Sequence, residues 1–391
     1  MEKWNDGRKG RMEEKEGREE SRFSFLFRRI EHRSESLRPV EIFLSHHVSR
    51  FTFHAMSLCA VFLILGAMDS SADQWYAGDA HIHTFPHGGS TVAERVDEGI
   101  YGHLDWLVIT EHERYGMFKW ADEVAKEHAE HYPAFSPLLG MEWDDMTAVN
   151  GGDVILFGVP PIAELPITLQ DTIDWVNHAG GVFLYAHPGE LVWEYCTTWQ
   201  DAVGFEGFSG GRWMPEIEIG AEWDQLLTIG ERVFIDGSSD NHGQKYLGDR
   251  IVKTYVWAPS TSERDIVGAF QRGRMSVAEK DRAQILTFTV NGKMMGEVVE
   301  IDGDSVHVEL RVRSIDPLSK LTLVANKKAV WTWDAKERSY NHEAQFELPI
   351  TPDLCYLRLV VECLQWPDTT FRTLSNPIFL EQPESFQSKR P

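Results

Sequence analysis

At 391 residues, the chain is long enough for two domains, because single hydrophobic cores rarely grow much beyond about 250 residues. Its net charge is −23, and the part from Asp73 onward holds 26 basic and 50 acidic residues. Such an acidic body repels polyanions, which argues against a nucleic-acid partner and for small-molecule substrates or bound cations. The four cysteines have no metal-ligand spacing, so neither a disulfide framework nor a cysteine nucleophile is expected.

The amino-terminal segment predicts a tail and an export signal. Residues 1–50 mix charges at low complexity, which indicates a disordered tail or a true translation start farther downstream, near Val48. Residues 56–68 form an uncharged apolar run of signal-peptide length, too short to span a bilayer, and small residues follow before Asp73. We therefore interpret 51–72 as a signal peptide, with a periplasmic or extracellular mature protein and no membrane anchor. A buried helix is the alternative.

From residue 75 onward, short apolar or β-branched runs each end at a histidine or carboxylate and lead into a loop or helical segment. These runs are 75–83, 105–112, 137–142, 181–188, 215–220 and 232–242. Strands that alternate with helices predict a parallel sheet, and a barrel of parallel strands places their carboxyl ends on one face. Side chains far apart in the sequence would then converge there.

The ends of these runs carry the residue types of a metal centre. His81 and His83 alternate with Ile82, so in a strand both imidazoles point to the same side. The matching ends of other runs carry Glu111 and His112, Glu142, His187, and Asp240 with His242. Imidazole and carboxylate together suit zinc, manganese or iron, and a carboxylate can bridge two ions. A lone histidine is more often structural, but the whole set predicts metal binding.

In chain order these residues read HIH, TEH, GME, AHP and SSDNH, and they resemble the motifs of the PHP (polymerase and histidinol phosphatase) superfamily. The resemblance covers about 78–278. The segments WDQLLTIGERVFIDGSSDNHG and IVGAFQRGRMSV, and the strand-rich tail ending SNPIFL, are similar to its exported CehA/McbA-like branch. It implies an α/β fold with a distorted (β/α)7 barrel at 73–283, holding two or three divalent metal ions.

The resemblance also implies site residues. By motif, the metal ligands would be His81, His83, His112, Glu142, His187, Asp240 and His242. Glu142 is expected to bridge two ions and to serve catalysis. The ligand that the family carries shortly after HxH has no exact counterpart, and His87 is the nearest candidate, as a ligand or as the catalytic acid. A family histidine after the Glu motif is replaced by Asp153, and Glu111 is expected to orient a ligand histidine.

The reaction expected of such a site is hydrolysis by a metal-activated hydroxide, with small phosphate esters as the leading substrate class. Carbamate, ester or amide hydrolysis at the same metals is the close alternative, and a non-catalytic metal- or ligand-binding protein is the third. No GxSxG elbow or P-loop is visible. Arg114 and Arg274 are candidate substrate-binding cations, because phosphate recognition needs positive charge.

The pattern changes after about residue 284. Val306, Val308, Leu310 and Val312 interleave with charged or polar residues, a period of two that is typical of a half-buried strand. Similar runs continue to 383 and predict a β-sandwich domain at 284–383, followed by a tail at 384–391. No ligand cluster occurs here, so this domain is expected to support the barrel, close the pocket or mediate assembly. The oligomeric state stays open.

Overall fold

A computed structural model provides the coordinates of the chain. It describes residues 73–112, 119–145, 152–160, 168–188, 192–198, 200–209, 216–243, 252–351, 353–365 and 369–381. The predicted tails at 1–50 and 384–391, the predicted signal peptide at 51–72, and Arg114 lie outside these ranges. None of the helices in the described ranges has both the length and the apolar character needed to cross a membrane.

The fold mixes helices and strands. The helices are α1 (Val92–Tyr101), α2 (Lys119–Ala129), α3 (Leu169–Ala179), α4 (Val192–Thr198), α5 (Glu216–Ile229) and α6 (Glu263–Gln271). The first nine strands are β1 (Gln74–Ile82), β2 (Trp106–Ile109), β3 (Ser136–Asp145), β4 (Gly152–Phe157), β5 (Val182–Tyr185), β6 (Gly204–Ser209), β7 (Phe234–Ser238), β8 (Lys253–Ala258) and β9 (Met275–Ala278). The remaining strands are β10 (Ala283–Val290), β11 (Lys293–Met294), β12 (Val298–Glu300), β13 (Ser305–Ala325), β14 (Lys328–Pro349), β15 (Tyr356–Gln365), β16 (Thr369–Ser375) and β17 (Ile378–Glu381).

The strands that carry the candidate ligands pair mainly in parallel. β1, β2 and β3 are parallel neighbours, and so are β5, β6 and β7. Strand β4, however, runs antiparallel to both β3 and β5. An all-parallel arrangement was expected, but only 146–151 separate β3 from β4, too few residues for a helical crossover, so β4 must turn back beside β3. A parallel bridge joins Ile82 to Asn241, just past β7.

The expected strand at 215–220 is wrong. Residues Glu216–Ile229 form α5, and the strand in this part of the chain is β6. The alternation of Glu and Ile at 216–219 imitates a strand for only one turn. Farther along, Trp223, Leu226 and Leu227 are buried at helical spacing. This packing favours a helix over a strand for the whole segment.

The two largest hydrophobic clusters lie around β1–β9 and around the carboxyl-terminal strands, and a smaller one packs α1 and α2 against β2. In the first, the buried indole of Trp106 lies so close to Gly78 that an added Cβ would sit 2.1 Å from the ring. In the second, alternate residues of β13 are buried, which confirms the predicted strand period there. Because β16 pairs with β9, the later strands continue the sheet of the earlier ones. The domain boundary at 283/284 stays a prediction.

A buried ion pair joins α5 to β15. The carboxylate of Asp224 accepts hydrogen bonds from Arg358 Nε at 2.7 Å and Nη2 at 2.8 Å, and from the Tyr356 hydroxyl at 2.7 Å. The Arg358 guanidinium also lies 5.0 Å from the ring centroid of Trp223. Both charged residues are buried, so each depends on the other for compensation.

Replacing Asp224 by Ala is expected to lower the free energy of unfolding by about 3 kcal/mol or more, because Arg358 would stay buried without its carboxylate. Urea denaturation monitored by tryptophan fluorescence measures the change. The matched control is Glu381→Ala, which removes the exposed partner of Arg232 and should cost less than about 1 kcal/mol. If both variants lowered the free energy of unfolding by a similarly small amount, the Asp224–Arg358 pair would not stabilise the contact between α5 and β15.

Candidate metal centre

Backbone contacts beyond the strand ends align the candidate ligands. His81 lies in β1, and the amide of His83 donates to the carbonyl oxygen of Asn241, next to Asp240 and His242. A second parallel bridge joins His112 to Glu142, and the Glu142 amide donates to the carbonyl oxygen of Thr110. The ligand-bearing ends of neighbouring strands are therefore held in register by main-chain hydrogen bonds.

Four donor atoms meet in one buried space. His81 Nε2 lies 2.9 Å from His83 Nε2, 3.3 Å from Glu142 Oε2 and 3.5 Å from Asp240 Oδ1. His83 Nε2 lies 3.1 Å from the same Glu142 oxygen and 3.2 Å from the same Asp240 oxygen. His81, His83 and Glu142 are almost fully buried, and Asp240 is partly exposed.

These separations fit a metal ion. Four ligands placed about 2.0–2.1 Å from one tetrahedral Zn²⁺ stand about 3.4 Å from one another. Glu142 Oε2 and Asp240 Oδ1 are buried and have no hydrogen-bond partner, although several imidazole nitrogens surround them. Lone-pair atoms that converge without hydrogen-bond geometry are expected of ligands that point to a common cation.

Two further groups of ligand atoms flank this set. His83, His112 and His242 form one group, and Glu142, Asp153 and His187 form the other. In each group the ligand atoms lie within 4.8 Å of one another. Because His83 and Glu142 belong to two groups each, the arrangement has room for more than one ion, with Glu142 between them, as a bridging carboxylate would be.

Two of the candidate ligands have unusual backbones. His187 has φ of 27° and Asp240 has φ of 45°, in the left-handed region that residues other than glycine rarely adopt. Arg95 supports the Asp240 segment, since its buried guanidinium donates to the carbonyl oxygens of His83, Asn241 and Gly243. Strained positions that are held by the surrounding structure are typical of functional sites.

Sequence reasoning missed Glu206, which lies behind His81. Its carboxylate accepts from His81 Nδ1 at 2.8 Å, from the Ser238 hydroxyl and from the His187 amide at 2.7 Å. It is fully buried in β6. Such a contact fixes the imidazole so that Nε2 faces the ligand set. The available signal was an acidic residue in the middle of an otherwise apolar run, GFEGFS.

Two more buried carboxyl groups belong to this region and were also missed. Asp79 accepts from the amides of His81 and Ser239, and burial raises the pKa of Asp79 to about 6. Burial and the nearby charge of Glu206 raise the pKa of Asp236 well above its ordinary value. The strands thus bury more carboxyl groups behind the ligands than the motifs indicated.

Glu111 and His87 form a pair at the edge of the cluster. Glu111 accepts from His87 Nδ1 at 2.8 Å and from the amide and hydroxyl of Thr84 at 2.7 and 2.8 Å, and lies 3.5 Å from His83 Nδ1. Burial opposes its ionisation, but these contacts outweigh it and lower the pKa of Glu111 to about 2. His87 is 40% exposed and packs edge-on against His112. It lies beside the ligand groups rather than within them.

The carboxylates change the protonation of the buried imidazoles. Burial opposes a charge on His81, but Glu206 and Glu142 outweigh it and raise the pKa of His81 well above its ordinary value. In the same way, the nearby carboxylates of Asp240, Glu111 and Glu142 outweigh burial and raise the pKa of His83 to about 9. Burial opposes ionisation of Glu142, yet the hydrogen bond with His187 and the close imidazoles of His81 and His83 hold its pKa far below the usual range.

Arg274 does not join the cluster. Its carbonyl oxygen accepts from the Trp257 amide, and Trp257 pairs with Trp75 near the start of β1. Six residues of extended strand separate Trp75 from His81, a span of about 20 Å. The structure therefore does not support the expectation that Arg274 contacts a substrate at this centre.

No protein-family model matches the chain, and no curated protein matches it. Among solved structures, an amidohydrolase from Chromobacterium violaceum with bound sulfate and no metal is 16% identical, with a TM-score of 0.34 over 42% of this chain and 87% of its own. A Bifidobacterium adolescentis protein to which metal-dependent phosphoesterase activity is ascribed is also 16% identical, with a TM-score of 0.33 over 43% of this chain and 88% of its own. Likeness this low carries no argument about activity.

Metal affinity is expected to rise with pH between about 6 and 9. Below its pKa of about 9, the free protein carries a proton on His83 that an ion must displace. Each displaced proton should change the apparent affinity about tenfold per pH unit. Calorimetric titration of zinc in buffers of different ionisation enthalpy measures the protons released, and a value near zero at pH 7 would contradict a site built on these imidazoles.

Glu206→Gln is expected to weaken metal affinity about 10–100-fold, because the carboxylate that orients the His81 ring and holds its proton on Nδ1 becomes a neutral amide. Competition with a chromophoric chelator measures the affinity. The control is Glu347→Gln, which alters an exposed His–Glu pair in the carboxyl-terminal strands, with His307 Nδ1 at 2.9 Å, and should leave affinity unchanged. Equal affinities for both variants would remove Glu206 from the site.

Proposed function

We propose that this protein is a metal-dependent hydrolase of the PHP type. The observation that carries the proposal is the meeting of His81, His83, Glu142 and Asp240, in which the two imidazole nitrogens lie 2.9–3.5 Å from each other and from the carboxylate oxygens. We further propose that β1–β7 and their helices form a distorted (β/α)7 barrel, and that the later strands form a β-sandwich domain. Export through the signal at 51–72 is part of the same proposal and rests on the sequence alone.

The negative charge of the carboxylates in the cluster favours the binding of two or three divalent cations. The residues that would hold them are His81, His83, His112, Glu142, Asp153, His187, Asp240 and His242. Neither Glu142 nor Asp240 forms a salt bridge with an arginine or lysine in the part of the chain that the structure describes. Bound cations would neutralise these carboxylates, lower the pKa of the water that attacks, and polarise the bond that breaks. Imidazole and carboxylate ligands suit zinc, manganese or iron.

His87 is proposed as the group that passes a proton to the leaving group. With Nδ1 donating to Glu111, Nε2 is the atom that takes up and releases the proton, and the Glu111 carboxylate fixes the orientation of the ring. The side chain is 40% exposed, so it can reach a substrate that enters from solvent. Glu142 holds several imidazoles at once and thereby fixes the positions of the ligands during the reaction.

Small phosphate esters are the proposed substrate class, because closely spaced divalent cations bind both the attacking and the leaving oxygens of a phosphoryl group. A carbamate, ester or amide substrate is the second candidate. It is favoured by the position of Arg274, which lies far from the ligands, since a neutral carbonyl substrate needs no guanidinium clamp.

His242→Ala is expected to reduce hydrolytic activity at least about 100-fold at fixed metal concentration, because a ligand is lost. His242 is partly exposed, with 44% side-chain accessibility, so the fold should survive. The matched control is His128→Ala, a histidine of α2 with 38% accessibility that pairs with Asp97 and should keep full activity.

The substrate class is tested with the metal-loaded full chain and p-nitrophenyl phosphate, bis(p-nitrophenyl) phosphate, an aryl carbamate and an aryl acetate. Phosphoester turnover that stops with chelator and returns with metal supports the leading candidate, and turnover of the carbonyl substrates alone supports the second. Bound metal without any turnover would favour a binding protein. Full activity of His242→Ala would contradict the metal centre.

A further inference from the structure

A second pocket lies at the opposite end of the strands from the metal ligands. It is a cavity of about 590 Å³ beside the starts of β6 and β7, where Val203 and Phe234 form part of its wall. Arg232, Arg272 and Arg274 also line it. A cluster of arginines is unusual in a chain whose body is so strongly acidic, and it has no part in the proposed chemistry at the cluster.

Two of these arginines have uncommitted donors. The Nε of Arg274 is buried without a hydrogen-bond partner, and its nearest carboxylates, Asp73 and Glu297, stand 3.7 Å from the guanidinium, beyond hydrogen-bond distance. Arg272 is exposed at the end of α6, and none of the side-chain hydrogen bonds or salt bridges among the described residues involves it. Arg232 differs, because it is paired with Glu381 at 2.5 Å.

The two guanidinium groups also repel each other. Partial burial and the neighbouring charge of Arg274 hold the pKa of Arg272 below its ordinary value, although the carboxylates of Asp73 and Asp265 act in the opposite direction. An anion between them would remove this repulsion and accept the unused donors. Leaving the buried Nε of Arg274 without an acceptor costs free energy, and an anion in the pocket would supply one.

The backbone fixes where these arginines stand. Arg272 caps the end of α6, and Gly296, at φ of 82°, packs so close to it that a Cβ would lie 1.6 Å from the Arg272 carbonyl oxygen. A Cβ on Gly273 would lie 2.3 Å from the ring of Phe234. Both neighbours of the arginine pair therefore admit only glycine, and the pair is held by main-chain packing rather than by its own contacts.

We propose that this pocket binds a small oxyanion, a carboxylate or phosphate group, between Arg272 and Arg274. Guanidinium groups present donors in pairs that match the two oxygens of such a group. Because Asp201 and Glu297 also border the cavity, it favours a small anion of low charge over a polyanion. The apolar wall at Phe234 and Val203 leaves room for a short organic body attached to the anion.

The test uses the metal-free full chain, so that anions bound to a metal ion do not contribute. Inorganic phosphate and malonate are titrated separately by calorimetry at constant ionic strength set with sodium chloride. Wild type is expected to bind at least one of them saturably. Arg272→Gln and Arg274→Gln should each weaken binding about tenfold or more, and the double variant should abolish it.

The matched control is Arg264→Gln, which removes an exposed arginine of the same helix, paired with Asp265, and should leave binding unchanged. Phosphate binding alone identifies a phosphate site, and malonate binding alone a carboxylate site. Absence of saturable binding by wild type, or binding that persists in the double variant, would overturn the proposal. Arg272 lies at an exposed helix end, so its variant gives the answer even if Arg274→Gln unfolds. Neither result bears on the hydrolase activity, which needs metal.

Discussion

The close approach of lone-pair atoms at the strand ends is the constraint on which the centre depends. Imidazole nitrogens and carboxylate oxygens lie about as close together as ligands of one ion, yet neither Glu142 nor Asp240 pairs with an arginine or lysine among the described residues. Only protons or metal ions can compensate such a set. The raised pKa values of His81 and His83 reflect compensation by protons. The spacing of the four donor atoms fits compensation by a metal ion.

The length of the strands keeps the imidazole and carboxylate cluster apart from the arginine-lined pocket. Their carboxyl ends carry imidazoles and carboxylates, whereas the starts of β6 and β7 border a pocket of arginines. Because a strand advances about 3.3 Å per residue, charges of opposite sign are kept far enough apart that they do not neutralise each other. The same main-chain scaffold can therefore present a cation site at one end and an anion site at the other.

Buried acidic groups support the centre from behind and from the side. Glu206 and Glu111 hold the rings of His81 and His87, and Asp224 ties the helix after β6 to the carboxyl-terminal strands through Arg358. The later strands thus bear on the site indirectly, by stabilising the element that follows the Glu206 strand. This is consistent with a supporting role for a region in which the described residues contain no ligand group.

The sequence by itself identified the ligand-bearing runs, because a period-two repeat such as His81 and His83 fixes which side chains share a face. It could not identify Glu206, whose role depends on a neighbouring strand, or the reversed direction of β4, which depends on a short connection. It also misread 215–220, since one turn of Glu–Ile alternation looks like a strand until helical packing of Trp223 is known. Only the tertiary structure shows that Arg274 lies far from the metal ligands. The sequence does not show which ends of two neighbouring strands lie side by side.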